Sequence, residues 1–266
     1  MTIVIKYGGN AMKDVGVRDS ILDEIAGIYK AGHQIVLVHG GGPFINKILD
    51  QNNVQSAFIG GHRKTTTEAI SLIEMALTGE VNPALVRQLQ ARGISAVGLS
   101  GKDGNLVIAK KKYHIENGKK VDIGWVGEVA TVHPILIQQL LKGGFFPVLT
   151  CMASDSIGNA YNINGDLFAG HIAGAIKADQ YIVMTDVDGL YLDRNKPETL
   201  IARLTLPEVS KMMGTVIAGG MIPKIESCIT AIATGTKEVR IINGTKPGIL
   251  TKVILGNEEI GTRIRS

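Results

Sequence analysis

The sequence predicts an α/β protein: a mostly parallel β-sheet with helices on both sides. Three observations predict it. Short apolar runs of strand length recur along the 266 residues, stretches with helical apolar period separate them, and glycine-bearing loops follow several of the runs. The first run, Ile3 to Ile5, suits a strand buried on both faces and ends in Lys6-Tyr7-Gly8-Gly9-Asn10. Val17, Ile21, Ile25 and Ile28 then share one face of a helix. Ile35 to Val38 is the next strand, followed by His39-Gly40-Gly41-Gly42-Pro43. Gly60-Gly61-His62-Arg63-Lys64-Thr65-Thr66 leads into a helix with Ile70, Ile73 and Leu77 on its apolar face, which Thr66 or Thr67 can cap. Ala96 to Leu99 and Phe145 to Leu149 are further strands. From Leu106 to Val126 and from Thr150 to Tyr161 the rhythm breaks. Short polar strands with the turn signals Glu116-Asn117-Gly118 and Ser156-Ile157-Gly158 predict antiparallel hairpins capping the main sheet. Asn162-Ile163-Asn164-Gly165-Asp166 opens a helix that buries Leu167, Ile172 and Ile176, and Tyr181 to Met184 is a strand ending in Asp186-Val187-Asp188-Gly189. Gly219-Gly220-Met221-Ile222-Pro223-Lys224 starts a helix with Ile222, Ile225, Ile229 and Ile232 on one face, and Val239 to Ile242 is the last run. Strand and helix alternate, so the crossovers are right-handed, and ligands belong beyond the carboxyl ends of the strands.

Composition excludes several classes. The 33 glycines are about 12% of the chain against a usual ~7%, but they follow no G-X-Y period, and 45% apolar residues supply ample core, so collagen, low complexity and disorder fail. The charge balance, 28 basic against 24 acidic residues, leaves a net +4. Lys110-Lys111-Lys112 and Lys119-Lys120 have no aromatic platform or recognition helix beside them and read as a solvated hairpin, not a nucleic-acid surface. Cys151 and Cys228 stand in no CxxC or Cys/His spacing, which points to reduced thiols and away from a zinc site. The chain enters Ile3-Val4-Ile5-Lys6 without a basic leader, and nowhere do 18 apolar residues run together. The expectation is a soluble cytoplasmic protein with no membrane or nucleic-acid partner.

The loops carry the candidate chemistry. Glycine lets backbone N–H groups approach an anion, and a helix starting just afterwards adds the positive end of its dipole. The dinucleotide fingerprint GxGxxG fails, because its third glycine position falls on Ile45, and the GxxxxGK[ST] loop is absent. There is no HRD/DFG pair and no GxSxG elbow. Lys6 closes a buried strand, where an unpaired ammonium costs several kcal/mol unless a ligand or carboxylate faces it. Lys224 sits at the start of an apolar helix, where a surface lysine is equally ordinary. Asn164 and Asp166 have the spacing of a helix cap, worth on the order of 1 kcal/mol, but a carboxylate there can also hold two lysines. Arg63, just before a helix cap, is placed to grip a substrate carboxylate in two-point fashion, with a solvated Arg/Lys run as the plainer alternative.

Taken in order, Ile5-Lys6-Tyr7-Gly8-Gly9, Val38-His39-Gly40-Gly41-Gly42-Pro43, Gly61-His62-Arg63-Lys64-Thr65, Val97-Gly98-Leu99-Ser100-Gly101-Lys102-Asp103-Gly104, Asn162-Ile163-Asn164-Gly165-Asp166, Thr185-Asp186-Val187-Asp188-Gly189, Gly219-Gly220-Met221-Ile222-Pro223-Lys224 and Gly261-Thr262-Arg263-Ile264 resemble the amino acid kinase family. The resemblance runs from Ile3 to Ile264 and is strongest to members that phosphorylate N-acetyl-L-glutamate with ATP and Mg²⁺. It implies a three-layer α/β/α sandwich on a mainly parallel, about eight-stranded central sheet. The whole chain, 1–266, is then one domain, with about 1–160 holding the amino acid and the dimer contact and about 161–266 holding ATP. Carried over by position, Lys6 and Lys224 match the lysines that stabilise the transferring phosphoryl group, and Asp166 matches the aspartate that organises them. Gly41, Gly42, Arg63, Asn162 and Asn164 match the amino-acid site. Gly8, Gly9, Gly220, Asp186, Val187, Asp188, Gly189, Leu190, Tyr191, Val216, Ile217 and Ala218 match the nucleotide site, and no residue is assigned as a metal ligand because Mg²⁺ travels on the ATP phosphates.

Departures from the family pattern bear on the acceptor. The loop reads Gly-His-Arg-Lys-Thr where Gly-Leu-Arg-Val-Thr is commoner, Pro83 follows Asn82 where lysine is usual, and Gly165 stands for alanine. The Gly-Asp pair is also similar to that of kinases acting on carrier-protein-linked aminoadipate, so that acceptor stays open, as does a catalytically silent ligand-binding regulator. A start directly at the first strand, without the helix of hexameric arginine-inhibited members, implies a homodimer.

Overall fold

The computed structural model describes every residue except Asn10 and Lys13, so Asn10 of the first glycine loop lies outside the described residues. The run Ile3 to Ile5 lies in strand β1 (Thr2–Tyr7), and its alternation decides what each face of the sheet meets. Ile3, Ile5 and Tyr7 enter one core, and Val4 enters the other. Helix α1 (Val15–Lys30) begins several residues after Gly8-Gly9, with the Asp14 side chain accepting from the Val17 amide as its N-cap. The dipole expected at that first loop is therefore already occupied by an aspartate. Strand β2 (Gln34–His39) leads straight into α2 (Gly42–Gln51), where the expected loop-to-helix join is present.

A small hairpin, β3 (Phe58–Ile59) and β4 (His62–Arg63), turns at Gly60 and Gly61, whose φ values of 55° and 78° suit glycine. Thr66 caps α3 (Thr67–Glu74), accepting from the Ala69 amide at 3.2 Å. The helix widens into a π-helical stretch at Met75–Val81 and continues as α4 (Asn82–Gln90). Pro83 follows the wide stretch after one residue, Asn82; it has no N–H for the preceding turn, and its ring would press on that turn's carbonyl. By length and apolarity Thr67–Gln90 would pass for a membrane span, but Ile73, Leu77, Leu85 and Leu89 are buried in the two cores.

The chain continues through β5 (Ala96–Ser100), β6 (Val107–Glu116), β7 (Lys119–Val132), α5 (Ile135–Lys142), β8 (Phe146–Thr150), β9 (Met152–Ser154) and β10 (Ala160–Ile163). Asn117 and Gly118, both at positive φ, form the tight β6–β7 turn predicted from Glu116-Asn117-Gly118. The two expected hairpins also pair with each other. Strand β10 pairs in parallel with β7, and β9 touches β6, closing four strands into a small barrel. These are edge-to-edge pairings between segments distant in sequence, which turn signals do not encode.

After α6 (Gly165–Ala175) come β11 (Gln180–Thr185), β12 (Arg203–Thr205), α7 (Leu206–Met212), α8 (Met221–Ala233), β13 (Glu238–Asn243), α9 (Ile249–Ile254) and β14 (Thr262–Arg265). The eight-stranded sheet has the order β12-β14-β13-β11-β1-β2-β8-β5. Every predicted apolar run lies in it, in the parallel strands β1, β2, β5, β8, β11 and β13, while β14 runs antiparallel to β13 and carries β12 with it. Helices α1, α4 and α9 share one core, and α2, α3, α6 and α8 share the other, which makes three layers.

One contact ties the far ends of the chain together. Glu24 of α1 accepts from the Gly248 amide at 2.8 Å and the Thr251 amide at 3.0 Å, capping α9. Glu24→Ala is expected to destabilise the protein by about 1–2 kcal/mol, the usual scale for a lost cap, and urea unfolding measures it.

Candidate active site

The alternation of β1 that sends Val4 into the core beneath α6 and α8 sends Lys6 the same way, one step nearer the carboxyl end of the strand. There it meets Asp166, in the first turn of α6. Asn164 fixes that turn, its side chain accepting from the Asp166 amide at 2.9 Å and the Leu167 amide at 3.2 Å, so the expected cap is real. Lys6 Nζ lies 2.8 Å from one Asp166 carboxylate oxygen, and Lys224 Nζ, in the first turn of α8, lies 3.0 Å from the other. Lys6 and Asp166 are buried. Burial pushes the Lys6 ammonium below its ordinary pKa, the Lys224 charge adds to this, and Asp166 opposes it. Burial pushes the Asp166 carboxyl up, but the two lysines together outweigh it and hold it below the ordinary range. Two ammonium groups against one carboxylate leave an excess positive charge facing the surrounding cavities.

Three cavities meet at this triad. One of about 220 Å³ is lined by Gly41, Gly42, Arg63, Asn162 and Asn164 together with Lys6 and Asp166. A cleft of about 570 Å³ is lined by Asp186, Val187, Gly189, Leu190, Tyr191, Val216, Ala218 and Gly220, with Lys224 at its edge. A third of about 450 Å³ joins them, with Gly8, Gly9, Lys6 and Lys224 in its walls. Two expected residues stand back from the large cleft. Ile217 is fully buried in the core, and the Asp188 carboxylate is taken by Lys246 at 2.7 Å and the Asn243 amide group at 2.9 Å. No helix follows Asp186-Val187-Asp188-Gly189, so that loop adds no dipole. Among the described residues no group of three or more His, Cys, Asp or Glu side chains is placed to hold a metal.

Arg63 is set by neighbours that spacing did not reveal. Its guanidinium donates to Asn46 Oδ1 at 2.6 Å and to Ser56 Oγ, and stacks 4.7 Å from the centre of the Phe58 ring. Among the described residues no carboxylate forms an ion pair with it, so its charge is left for an anion in the small cavity. His62 beside it is pushed down to about 4 by burial and then by Lys112 and His114, and is neutral near pH 7. Thr245 lines the joining cavity and Arg194 the large cleft, and neither was expected there. Thr245 follows Asn243-Gly244 at the end of the Val239 to Ile242 run, the same strand-then-glycine signal used elsewhere.

The Gly40-Gly41-Gly42 loop is braced from behind. A Cβ on Gly41 would lie 2.6 Å from Leu77 Cδ2, so the π-helical stretch packs directly on that residue. His39, fully buried, takes the Asn82 amide group on Nε2 at 3.0 Å, which leaves the proton on Nδ1 to donate to the Gly40 carbonyl at 2.9 Å. Burial pushes its pKa down to about 4. The unfolded chain binds this proton near 6.5, so the stability tied to a neutral His39 is complete above that pH. It is lost as pH falls toward 4, on the order of 3 kcal/mol in all. Urea unfolding at about pH 7 and about pH 4.5 should show His39→Gln losing less stability on acidification than the wild type. The other histidines with lowered pKa are common to both proteins and cancel.

The sequence profile of the amino acid kinase family matches residues 1–243. The chain belongs to the amino acid kinase family. Acetylglutamate kinase of Methanococcus aeolicus is 43% identical over 267 residues, covering 98% of this chain and 91% of that one. Acetylglutamate kinase of Gloeobacter violaceus is 40% identical over 264 residues, covering 99% and 86%. Among solved structures, smu.665 from Streptococcus mutans UA159 is 31% identical with a TM-score of 0.79, covering 99% of this chain and 98% of that one. The amino acid kinase fold accounts for the mainly parallel sheet between helical layers.

Proposed function

We propose that this kinase transfers the γ-phosphoryl group of ATP to the side-chain carboxylate of N-acetyl-L-glutamate, giving N-acetyl-L-glutamyl 5-phosphate and ADP, the second step of arginine biosynthesis. The observation that carries the reading is Asp166 holding Lys6 and Lys224 by separate oxygens where a small cavity lined by Arg63 and Asn162 and a larger cleft meet. The relatives named acetylglutamate kinase support the acceptor. A side-chain carboxylate with pKa near 4.3 is already ionised at pH 7, so the attack needs no general base. What the transfer requires is in-line alignment of two anions and neutralisation of charge on the moving group. Arg63 and the Gly41 and Gly42 amides hold the amino acid, and Asn162 faces it. The cleft from Asp186 to Tyr191 and around Val216 takes ATP as its magnesium complex, the ion riding on the phosphates. Lys6 and Lys224 face the transferring group between them, and acetylation keeps the substrate nitrogen from attacking the acyl phosphate. On this reading residues up to about 160 mainly bind the acceptor, the rest mainly bind nucleotide, and the protein works as a soluble cytoplasmic homodimer, as the family resemblance suggests.

The test is ATP-dependent hydroxamate formation in hydroxylamine over a panel of acids. N-acetyl-L-glutamate should exceed N-acetyl-L-aspartate in kcat/KM by about 10- to 200-fold, the scale of one methylene. Preferred turnover of aminoadipate or its carrier-linked form would reassign the acceptor, and no ATP turnover with any acid would leave a silent binding protein.

A further inference from the structure

Lys224 meets Asp166 across the seam between α6 and α8, and that seam is unusually close. A Cβ on Gly170 would lie 2.4 Å from the Ser227 carbonyl oxygen, and one on Gly174 would lie 1.7 Å from Thr234 Oγ1. One side chain rises from the sheet floor and reaches both helices. Tyr181 of β11, fully buried, donates its hydroxyl to the Asp166 carbonyl at 3.2 Å and lies 3.2 Å from Ser227 Oγ. Ser227 Oγ also lies 2.6 Å from the Lys224 carbonyl, and its single proton goes either to that oxygen or to Tyr181, whose own proton is committed to Asp166. Burial and then the Asp166 charge push the Tyr181 pKa well above its ordinary value, so the hydroxyl keeps its proton throughout the working range. With Ser227 donating to Tyr181 and Tyr181 donating to Asp166, the two hydroxyls link the backbone of the residue that carries the carboxylate to α8 at Ser227, three residues after the Lys224 that carries the ammonium. Neither lines the three cavities at the triad; the sequence marks Tyr181 only as the start of a strand, and no motif marks Ser227.

We propose that Tyr181 and Ser227 are positioning residues that fix the Lys224–Asp166 separation, and with it the place of the Lys224 ammonium opposite the transferring phosphoryl group. The proposal rests on the preceding reading that these lysines stabilise that group. An error of about 1 Å in such a group costs up to ~100-fold in rate without loosening ground-state binding. The relay therefore acts on kcat, whereas a side chain that only contributed to stability would shift unfolding and leave turnover unchanged.

The experiment is steady-state kinetics of Tyr181→Phe and Ser227→Ala, alone, together, and each in a Lys224→Ala background, with unfolding midpoints recorded beside them. Each single variant should lower kcat by about 10-fold with both KM values within about twofold of wild type, and the pair should do no more than the larger single, because both break one relay. In the Lys224→Ala background the further loss should vanish. The proposal is overturned if either single variant keeps kcat within about twofold of wild type, or if its full loss persists without Lys224. Near-normal kcat in Lys224→Ala itself overturns the phosphoryl-transfer reading, and the proposal with it. Gly170→Ala, which forces α8 off α6 by sterics alone, should lower kcat more than Tyr181→Phe; an unchanged kcat there contradicts the proposal as well.

Discussion

Lys6→Ala and Lys224→Ala are each expected to lower kcat by ~100- to 1,000-fold, the range seen when one preorganised donor to a developing oxyanion is removed. Both lysines are already held by Asp166, so they need no reorganisation when charge builds on the moving phosphoryl group. Their pull is greatest at that point, which places the loss in kcat and leaves the KM values close to wild type. The fold should survive, though not equally. Removing either lysine leaves a buried carboxylate with one cation instead of two, and breaking a buried pair costs on the order of 3–5 kcal/mol; the Lys6 side chain is the more deeply buried, 9% exposed against 18% for Lys224, so the Lys6 variant should be the less stable. Asp166→Asn keeps the shape but removes the charge that gathers the lysines, and it should fall in the same kcat range. Near-normal turnover in any of the three would remove the triad from the mechanism.

Arg63→Ala is expected to raise the KM for the amino acid by ~10- to 100-fold while leaving that for ATP near its wild-type value, since a hydrogen bond to a charged partner contributes about 1.5–3 kcal/mol. The Arg63 geometry supports a binding role. Asn46, Ser56 and Phe58 hold the guanidinium without neutralising it, and it lines the small cavity with Asn162 while remaining outside the large cleft. Arg63→Lys keeps the charge but loses the planar fork and the stacking on Phe58, so it should recover only part of the affinity. A KM change for ATP in place of the amino acid would reverse the assignment of the two cavities.

The apolar runs that sit in the centre of the sheet were readable because both faces of each strand are buried, which leaves an almost continuous aliphatic signature. Strands β12 and β14 were not, and their residues explain why. Arg203-Leu204-Thr205 and Thr262-Arg263-Ile264-Arg265 are short segments at one end of the sheet; Leu204 and Ile264 are buried, while Arg263 and Arg265 turn to the buried carboxylate of Glu238. Lys6 was legible because an ammonium at the end of a buried strand demands a partner, and Asp166 because a capped helix start places a carboxylate within reach. The same logic failed for Asn46, Ser56 and Phe58, which reach Arg63 from α2, the following loop and a two-residue strand. Their joint role exists only after folding. Spacing was equally silent on Asp188, whose carboxylate holds Lys246 and Asn243.

In the proposed reaction a carboxylate oxygen of the amino acid attacks ATP in the space between Lys6 and Lys224. N-acetyl-L-glutamate carrying heavy oxygen in its side-chain carboxylate, turned over with unlabelled ATP and trapped with hydroxylamine, tests this directly by mass spectrometry of the released phosphate. Hydroxylamine attacks the acyl carbon, so the bridging oxygen leaves with phosphorus. One heavy oxygen is expected in the phosphate for every hydroxamate formed, with the rate of heavy-phosphate release falling in step with kcat in Lys6→Ala and Lys224→Ala. Unlabelled phosphate accompanying hydroxamate would contradict it.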